Sequence, residues 1–321
     1  MIFNISEGAL KTPELNASYP ANATVNAGTS ATFKVEVSKD GIPSTYTYQW
    51  YVNDAAVSGA TGASYTRSTS SDKGVYSVYC KVTNKVGTVV SRTATLTVNK
   101  TPVLNTSYPA NASVVFNNKV TAKVEIATAG YPASYTYQWY KNGSAVSGAT
   151  SATYTFTPGA VGTITLYCKV TNAAGSVNSR TATITANPLY LYNLGDECTA
   201  VTGGWVTESS GELTNNADHL YFNSKGSSNR KAYASKTIDL SNYKTLYFDG
   251  HCSGGTDSDR TFNLSNVSGN SQSFIAKVQQ PSARGVVSID LTSISPRNAL
   301  WVGLVNNGSS KPTLLYKCWA E

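Results

Sequence analysis

Between positions 31 and 37, apolar Ala31, Phe33, Val35 and Val37 alternate with Thr32, Lys34 and Glu36. Period two predicts a β-strand with one buried face. A second run, Tyr-Thr-Tyr-Gln-Trp-Tyr, fills 46–51, and in a third Tyr76, Val78, Cys80 and Val82 alternate with Ser77, Tyr79 and Lys81. Gly59, Gly62 and Asp72-Lys73-Gly74 supply turn chemistry between the runs. Short strands at regular spacing predict a β-sandwich.

The same pattern then returns. TPELNASYPANAT at 12–24 recurs as TPVLNTSYPANAS from Thr101, and YTYQWY, AVSGAT and YCKVTN each occur twice. A period this long fixes the architecture as two copies of one small domain rather than thin stacked repeats. The expected division is an N-terminal segment 1–11, domains at 12–99 and 100–187, and a different segment at 188–321. That last segment stays β in character. Runs at 190–192, 219–222, 237–243, 245–249, 273–278, 286–291, 299–304 and 314–319, with polar Gly/Ser/Asn loops, predict about eight strands. The expected fold is all-β, two tandem sandwiches and a C-terminal jelly-roll sandwich. Short Pro-containing junctions around Pro102 and Pro188 predict a semi-rigid arm.

Charge narrows the function. The net charge is +7, and residues 1–187 carry 14 Lys/Arg against 7 Asp/Glu while residues 188–321 carry 11 of each. The excess is scattered singly, which argues against nucleic acid as a partner, since that needs a clustered basic stripe. No apolar run approaches the ~20 residues of a membrane span. The opening, 1–11, lacks the features of a secretory signal, so either a signal was removed or that export route is not used; the second suits a virion protein released by lysis. Ten Asn-x-Ser/Thr sequons, Asn16, Asn22, Asn142 and Asn307 among them, fit a chain rich in those residues. Cys80, Cys168, Cys198, Cys252 and Cys318 are odd in number and widely spaced, so they form no disulfide framework or zinc pattern.

In the first copy, Tyr-Gln-Trp-Tyr, Val-Ser-Gly-Ala-Thr, Asp72-x-Gly74-x-Tyr76 and Cys80-Lys-Val-Thr-Asn84 resemble an intermediate-type immunoglobulin domain, and Trp139 and Cys168 match Trp50 and Cys80 in the second. The resemblance implies that Trp50 and Trp139 sit in the core on the third strand. The family's strand-B cysteine is replaced by Phe33 or Val35, and by Ala122 or Val124 in the second copy. Cys80 and Cys168 are therefore read as buried free thiols. Tyr76 stands two residues further from the cysteine than in the family's tyrosine corner, and Ile164 replaces it in the second copy.

Ile-Asp-Leu-Ser-Asn-Tyr at 238–243 and Ile-Asp-Leu-Thr-Ser-Ile at 289–294, each ahead of an apolar run, resemble paired strands of galactose-binding-like and carbohydrate-binding modules. The stretch 194–205 resembles the start of C-terminal domains in phage and prophage proteins of gut bacteria, and 1–4 is similar to the start of prophage tail-region proteins. Sugar binding sets aromatic faces against the apolar side of the ring, with a few orienting polar groups. The aromatic candidates are Trp205, Tyr221, Tyr247, Trp301 and Trp319, with His219, Asp249, His251 and Arg260 as polar partners. Trp301 is assigned to the core and Trp319 read as a plug for it, while Trp205, after Gly203-Gly204, is of the three the most open to a ligand, though core packing competes there too. Asp196-Glu197 and Asp257-Ser-Asp259 are candidate structural calcium ligands; no other cofactor is expected.

No nucleophile elbow, phosphate loop or His-Glu-x-x-His motif occurs, and no carboxylate pair has a recognisable catalytic context. The expectation is a non-enzymatic phage virion accessory or tail-associated protein. Its immunoglobulin-like arm would present the C-terminal domain to a host-surface glycan, with virion proteins as partners and homo-oligomers possible. The alternatives are a bacterial cell-surface adhesin and a structural virion decoration protein.

Overall fold

The structure is a computed structural model that describes residues 10–193, 205–207, 212–216, 220–223, 230–234, 237–252, 260–266, 274–306 and 312–321. Every element among them is a β-strand or a short turn. The first copy is an immunoglobulin-like sandwich. Its larger sheet runs Ala23–Asn26, Ala94–Asn99, Gly74–Thr83, Thr47–Val52, Ala55–Ala56, with Thr88–Val90 also on Gly74–Thr83. Ala23–Asn26 joins in parallel and the rest are antiparallel. The facing layer is Ser30–Lys34 paired with Ser64–Ser68, and Glu14–Leu15 paired with Val37–Lys39. The alternating run from Ala31 is thus two strands, broken at 35–36, where Val35 N donates to Ala63 O.

Inward side chains of the two layers meet as Ala31, Phe33 and Val35 against Trp50, Val78, Cys80, Val82, Leu96 and Val98. Trp50 lies directly opposite Cys80, Phe33 and Tyr65 flank its ring at 6.5 and 5.8 Å, and its Nε1 donates to Gly62 O at 2.9 Å. The hairpin after Thr47–Val52 turns on Asn53 and Asp54, both at positive φ (47° and 66°), which two-residue loops of this kind require.

The second copy repeats these devices. Trp139 faces Cys168, Trp139 Nε1 donates to Ser151 O at 2.9 Å, and Ala112–Val115 pairs in parallel with Ala182–Asn187. Asn142 and Gly143 make the positive-φ turn. One polar latch explains the Asn that ends both YCKVTN motifs. Asn84 Nδ2 donates to Lys11 O and Pro43 O at 2.9 and 3.1 Å, while Val86 N and Gly87 N donate to its Oδ1. Asn172 does the same with Lys100 O, Pro132 O and Ala174 N.

The copies part at one corner. Tyr76 OH donates to Lys73 O at 3.2 Å, and Arg67 lies over the Tyr76 ring while pairing with Asp72 at 2.6 Å. The longer spacing to Cys80 therefore still closes a tyrosine-type corner. In the second copy Phe156 and Ile164 stand at the Arg67 and Tyr76 positions, so this polar corner is not repeated.

Cys80 and Cys168 are free and buried, and burial pushes both thiols up to about 11. Folding holds the neutral thiol, so its contribution is complete below the unfolded value of about 8.5 and is lost as pH rises through about 11. The urea midpoint should fall between pH 9 and 11, and fall less in a Cys80→Ala/Cys168→Ala variant. Tyrosines titrate in the same range in both proteins, so the difference between them is the measurement; identical pH profiles would refute the assignment.

The C-terminal segment forms two antiparallel sheets. One runs Glu212–Asn215, Leu220–Asn223, Thr313–Ala320, Thr245–Cys252, Gly285–Asp290, with Leu189–Asn193 also on Thr313–Ala320. The other runs Trp205–Thr207, Arg230–Ala234, Trp301–Asn306, Thr261–Ser265, Phe274–Gln279. Eleven strands are described: the expected run at 237–243 makes only the isolated Ile238–Leu300 bridge, while Trp205–Thr207, Glu212–Asn215, Arg230–Ala234 and Thr261–Ser265, short and in polar sequence, were not expected. Leu246, Phe248, Phe262, Leu264, Val302 and Leu304 share the core, with Phe248 stacked on Phe262 at 4.6 Å. Buried Gln280 stitches the sheets. Its Nε2 donates to Thr261 O and Val305 O, and Thr313 Oγ1 donates to its Oε1.

Residues 111–121, 155–164 and 183–187 belong to the same compact unit as this sandwich, and the remainder of the second copy belongs with the first. Within the C-terminal unit Phe116 meets Tyr243 edge to face at 5.2 Å. Both rings are buried.

Candidate functional site

Along Thr245–Cys252, Leu246, Phe248 and Cys252 turn inward, so Tyr247, Asp249 and His251 share the outer face of the six-stranded sheet. Neighbouring strands add to them. Tyr247 lies opposite Trp319 and Ser288, Asp249 opposite Lys317 and Val286, and both His251 and Tyr221 lie opposite Leu314. The Tyr247 and Trp319 rings stack at 5.1 Å. Arg284 donates from Nε and Nη2 to the two Asp249 carboxylate oxygens at 3.0 and 2.7 Å. Its guanidinium covers the Tyr316 ring at 3.8 Å, and the His251 ring lies 6.0 Å from that of Tyr316. A bidentate pair of this kind holds both groups in a fixed geometry.

Five of the sequence-named residues, Tyr221, Tyr247, Asp249, His251 and Trp319, therefore meet on one half-buried face. Much of their polar capacity is used within the fold. Asp249 is taken by Arg284, Trp319 Nε1 donates to Glu321 Oε1 at 3.0 Å, and Tyr221 OH accepts from Asn223 Nδ2. Arg284, Lys317 and Tyr316 were not anticipated. The pattern Ser-Ala-Arg-Gly reads as an ordinary turn, and Tyr316 reaches this face through a bulge opposite Asp249/Gly250.

Three candidates lie elsewhere. Trp205, named as a ligand candidate with core packing as its competing reading, is 6% exposed in the core, because the short strand it opens turns it toward Ala232 and the inner layer. Arg260 is 5% exposed, with Nη1 3.1 Å from buried Cys252 Sγ, so it presents nothing to a surface ligand. Trp301, weighed as core, is half-buried on the opposite face from core residues Val302 and Leu304, and meets Tyr233 edge to face at 5.8 Å. His219, Cys198 and the calcium candidates Asp196, Glu197, Asp257 and Asp259 lie outside the described residues. Among the described residues no group of three His, Cys, Asp or Glu could hold a metal ion.

The outer face of the five-stranded sheet carries a second arrangement that sequence reasoning missed. Phe262 and Leu264 face the core, so Thr261, Asn263 and Ser265 point the other way, yet all three are buried. Tyr233, Gly303, Asn263 and Lys277 form one row across four strands. The Nδ2 of Asn263 has no hydrogen-bond partner among the described residues. Such polar positions read in sequence as the solvated side of a strand.

No family model matches the chain. A curated relative, the highly immunogenic outer capsid protein of Enterobacteria phage T4, is 33% identical over 171 residues, which are 50% of this chain and 44% of that protein. The chain thus matches less than half the length of this relative. Among solved structures, the titin I-band fragment I67–I69 overlaps 72% of this chain and 95% of its own at 15% identity and a TM-score of 0.44, and an E-to-A variant of the same three domains overlaps 93% and 89% at 12% identity and 0.45. The tandem immunoglobulin-like chain described here is, over half its length, similar in sequence to a phage outer capsid protein.

Proposed function

We propose that this chain is a non-enzymatic accessory protein of the outer surface of a phage particle, in which the immunoglobulin-like copies carry a C-terminal sandwich, read as a jelly roll, that engages a neutral glycan of the host surface. The observation that carries the virion reading is the 33% identity to an outer capsid protein over half of this chain. The cell-surface adhesin has no comparable support. Glycan engagement draws on the aromatic rings set on both outer faces of the C-terminal sandwich and on its equal count of acidic and basic residues, which suits an uncharged ligand.

The full chain, mixed with particles of the phage that encodes it, should co-sediment to a saturating stoichiometry fixed by the capsid lattice. Sedimentation free of the particles would refute the virion reading. Spotted on a glycan array, the same chain should retain neutral glycans; capsid binding with a silent array would leave the purely structural decoration role.

A further inference from the structure

We propose that the two immunoglobulin-like copies move as one rigid lever, because the single peptide that joins them is hydrogen-bonded into both. This goes beyond the functional reading above and does not depend on it.

Relative motion is the default for neighbouring domains unless a large apolar interface forbids it. A hinge needs a few residues whose φ and ψ are free to change. This joint has none. Asn99 ends the last strand of the first copy, in register with Asn26, and Lys100 already bridges to Tyr131 of the second. The Asn99 carbonyl accepts from Ala27 N at 2.7 Å, and the Lys100 N–H donates to Tyr131 O at 2.8 Å. Those two groups belong to one planar peptide unit. No soft dihedral separates the anchor in the first copy from the anchor in the second, so a swing has to break one of them. The far side of Lys100 is held as well. Its carbonyl accepts from Tyr131 N and from Asn172 Nδ2, each at 2.8 Å. Gly130 seats this stretch, since a Cβ there would press on Lys100 O and stand 2.8 Å from Pro102 N.

Side chains of the first copy also brace both layers of the second. Lys73 Nζ donates to Ala129 O at 2.6 Å, just past the smaller-layer strand Ile126–Thr128. Asn26 Nδ2 donates to Ala174 O at 3.3 Å, in the larger-sheet turn between Asn172 and Gly175. All of these residues lie in one compact unit. Each brace is a surface hydrogen bond of small net worth, so the braces tune the joint and the shared peptide holds it.

The test is residual dipolar couplings of the ²H,¹⁵N-labelled full-length chain in a stretched, uncharged gel, read from amides of 12–99 and of 122–154. The expected result is one alignment tensor for both sets. Gly-Ser-Gly-Ser inserted between Asn99 and Lys100 parts the shared peptide, leaves both cores whole, and should split the fit into two tensors of unequal magnitude. Lys73→Met combined with Asn26→Ala alters only exposed side chains. It should keep the melting temperature while the second copy's couplings depart from the tensor fitted to the first. Two tensors in the parent would overturn the proposal. One tensor in the insertion variant would overturn it too, because the copies would then be held by their faces and not by the peptide. Brace-variant couplings that still fit one tensor would overturn the bracing.

Discussion

Trp50→Ala should destabilise the first immunoglobulin-like copy by about 3–5 kcal/mol, the range for truncating a large core aromatic. The ring is fully buried between Phe33 and Tyr65 and directly opposite Cys80, and no disulfide holds the layers if it goes, since Cys80 is free. Truncation also strips Gly62 O of its indole donor. In a domain of this size a loss of that order lowers the melting temperature by roughly 12–40 °C. Trp139→Ala should act alike on the second copy, where the ring is equally buried and bonded to Ser151 O. Scanning calorimetry of the full chain reads both, and a parental thermogram for either variant would show that the indole is not what joins the layers. Trp50→Phe should fall between, because it keeps much of the packing but loses the indole N–H and part of the buried ring volume.

Asn84→Ala should cost about 2–3 kcal/mol despite removing so small a side chain. The amide donates to Lys11 O and Pro43 O and accepts from Val86 N and Gly87 N, so its loss leaves several backbone groups unpaired in a mostly buried place, each costing on the order of 1–3 kcal/mol where water does not reach it. Water will reach some of them, which is why the expected total stays below the sum. Asn84→Asp is the sharper probe, since it keeps the acceptor and the shape but offers two backbone carbonyls a charge in place of a donor. Urea titration should place it no more stable than the alanine variant. A midpoint within error of the parent for either substitution would mean that the latch adds no stability.

The immunoglobulin-like copies were legible because their signals are local and doubled. Tryptophan, cysteine and the alternation around them specify which face is inside, and Trp50 and Cys80 meet in the register that alternation implies. The role of Asn84 was not legible, since the two carbonyls its amide donates to lie 73 and 41 residues away. In the C-terminal sandwich the reading faltered on parity. Whether Trp205 or Trp301 faces the core depends on the strand register, and a one-residue difference exchanges the two faces. Trp205 shares its inward face with Ala232, and Trp301 precedes the inward Val302, so the indole offered to a ligand is inside and the one assigned to the core is half-exposed. Arg284 escaped notice because the Asp249 it chelates is 35 positions distant. Asn263 escaped because an amide on a strand's polar side carries no mark of burial.

The doubled strands bear on how the chain reaches its native state. Thr47–Val52 and Thr136–Lys141 share Thr-Tyr-Gln-Trp-Tyr, and the strands they pair with share Tyr-Cys-Lys-Val-Thr. During refolding nothing in those segments distinguishes the proper mate from its twin in the other copy, and crossed pairing is the characteristic misassembly of tandem domains. Discrimination falls to the positions where the copies diverge, Arg67 and Tyr76 against Phe156 and Ile164, and to synthesis from the N-terminus, which lets one module close before its double emerges.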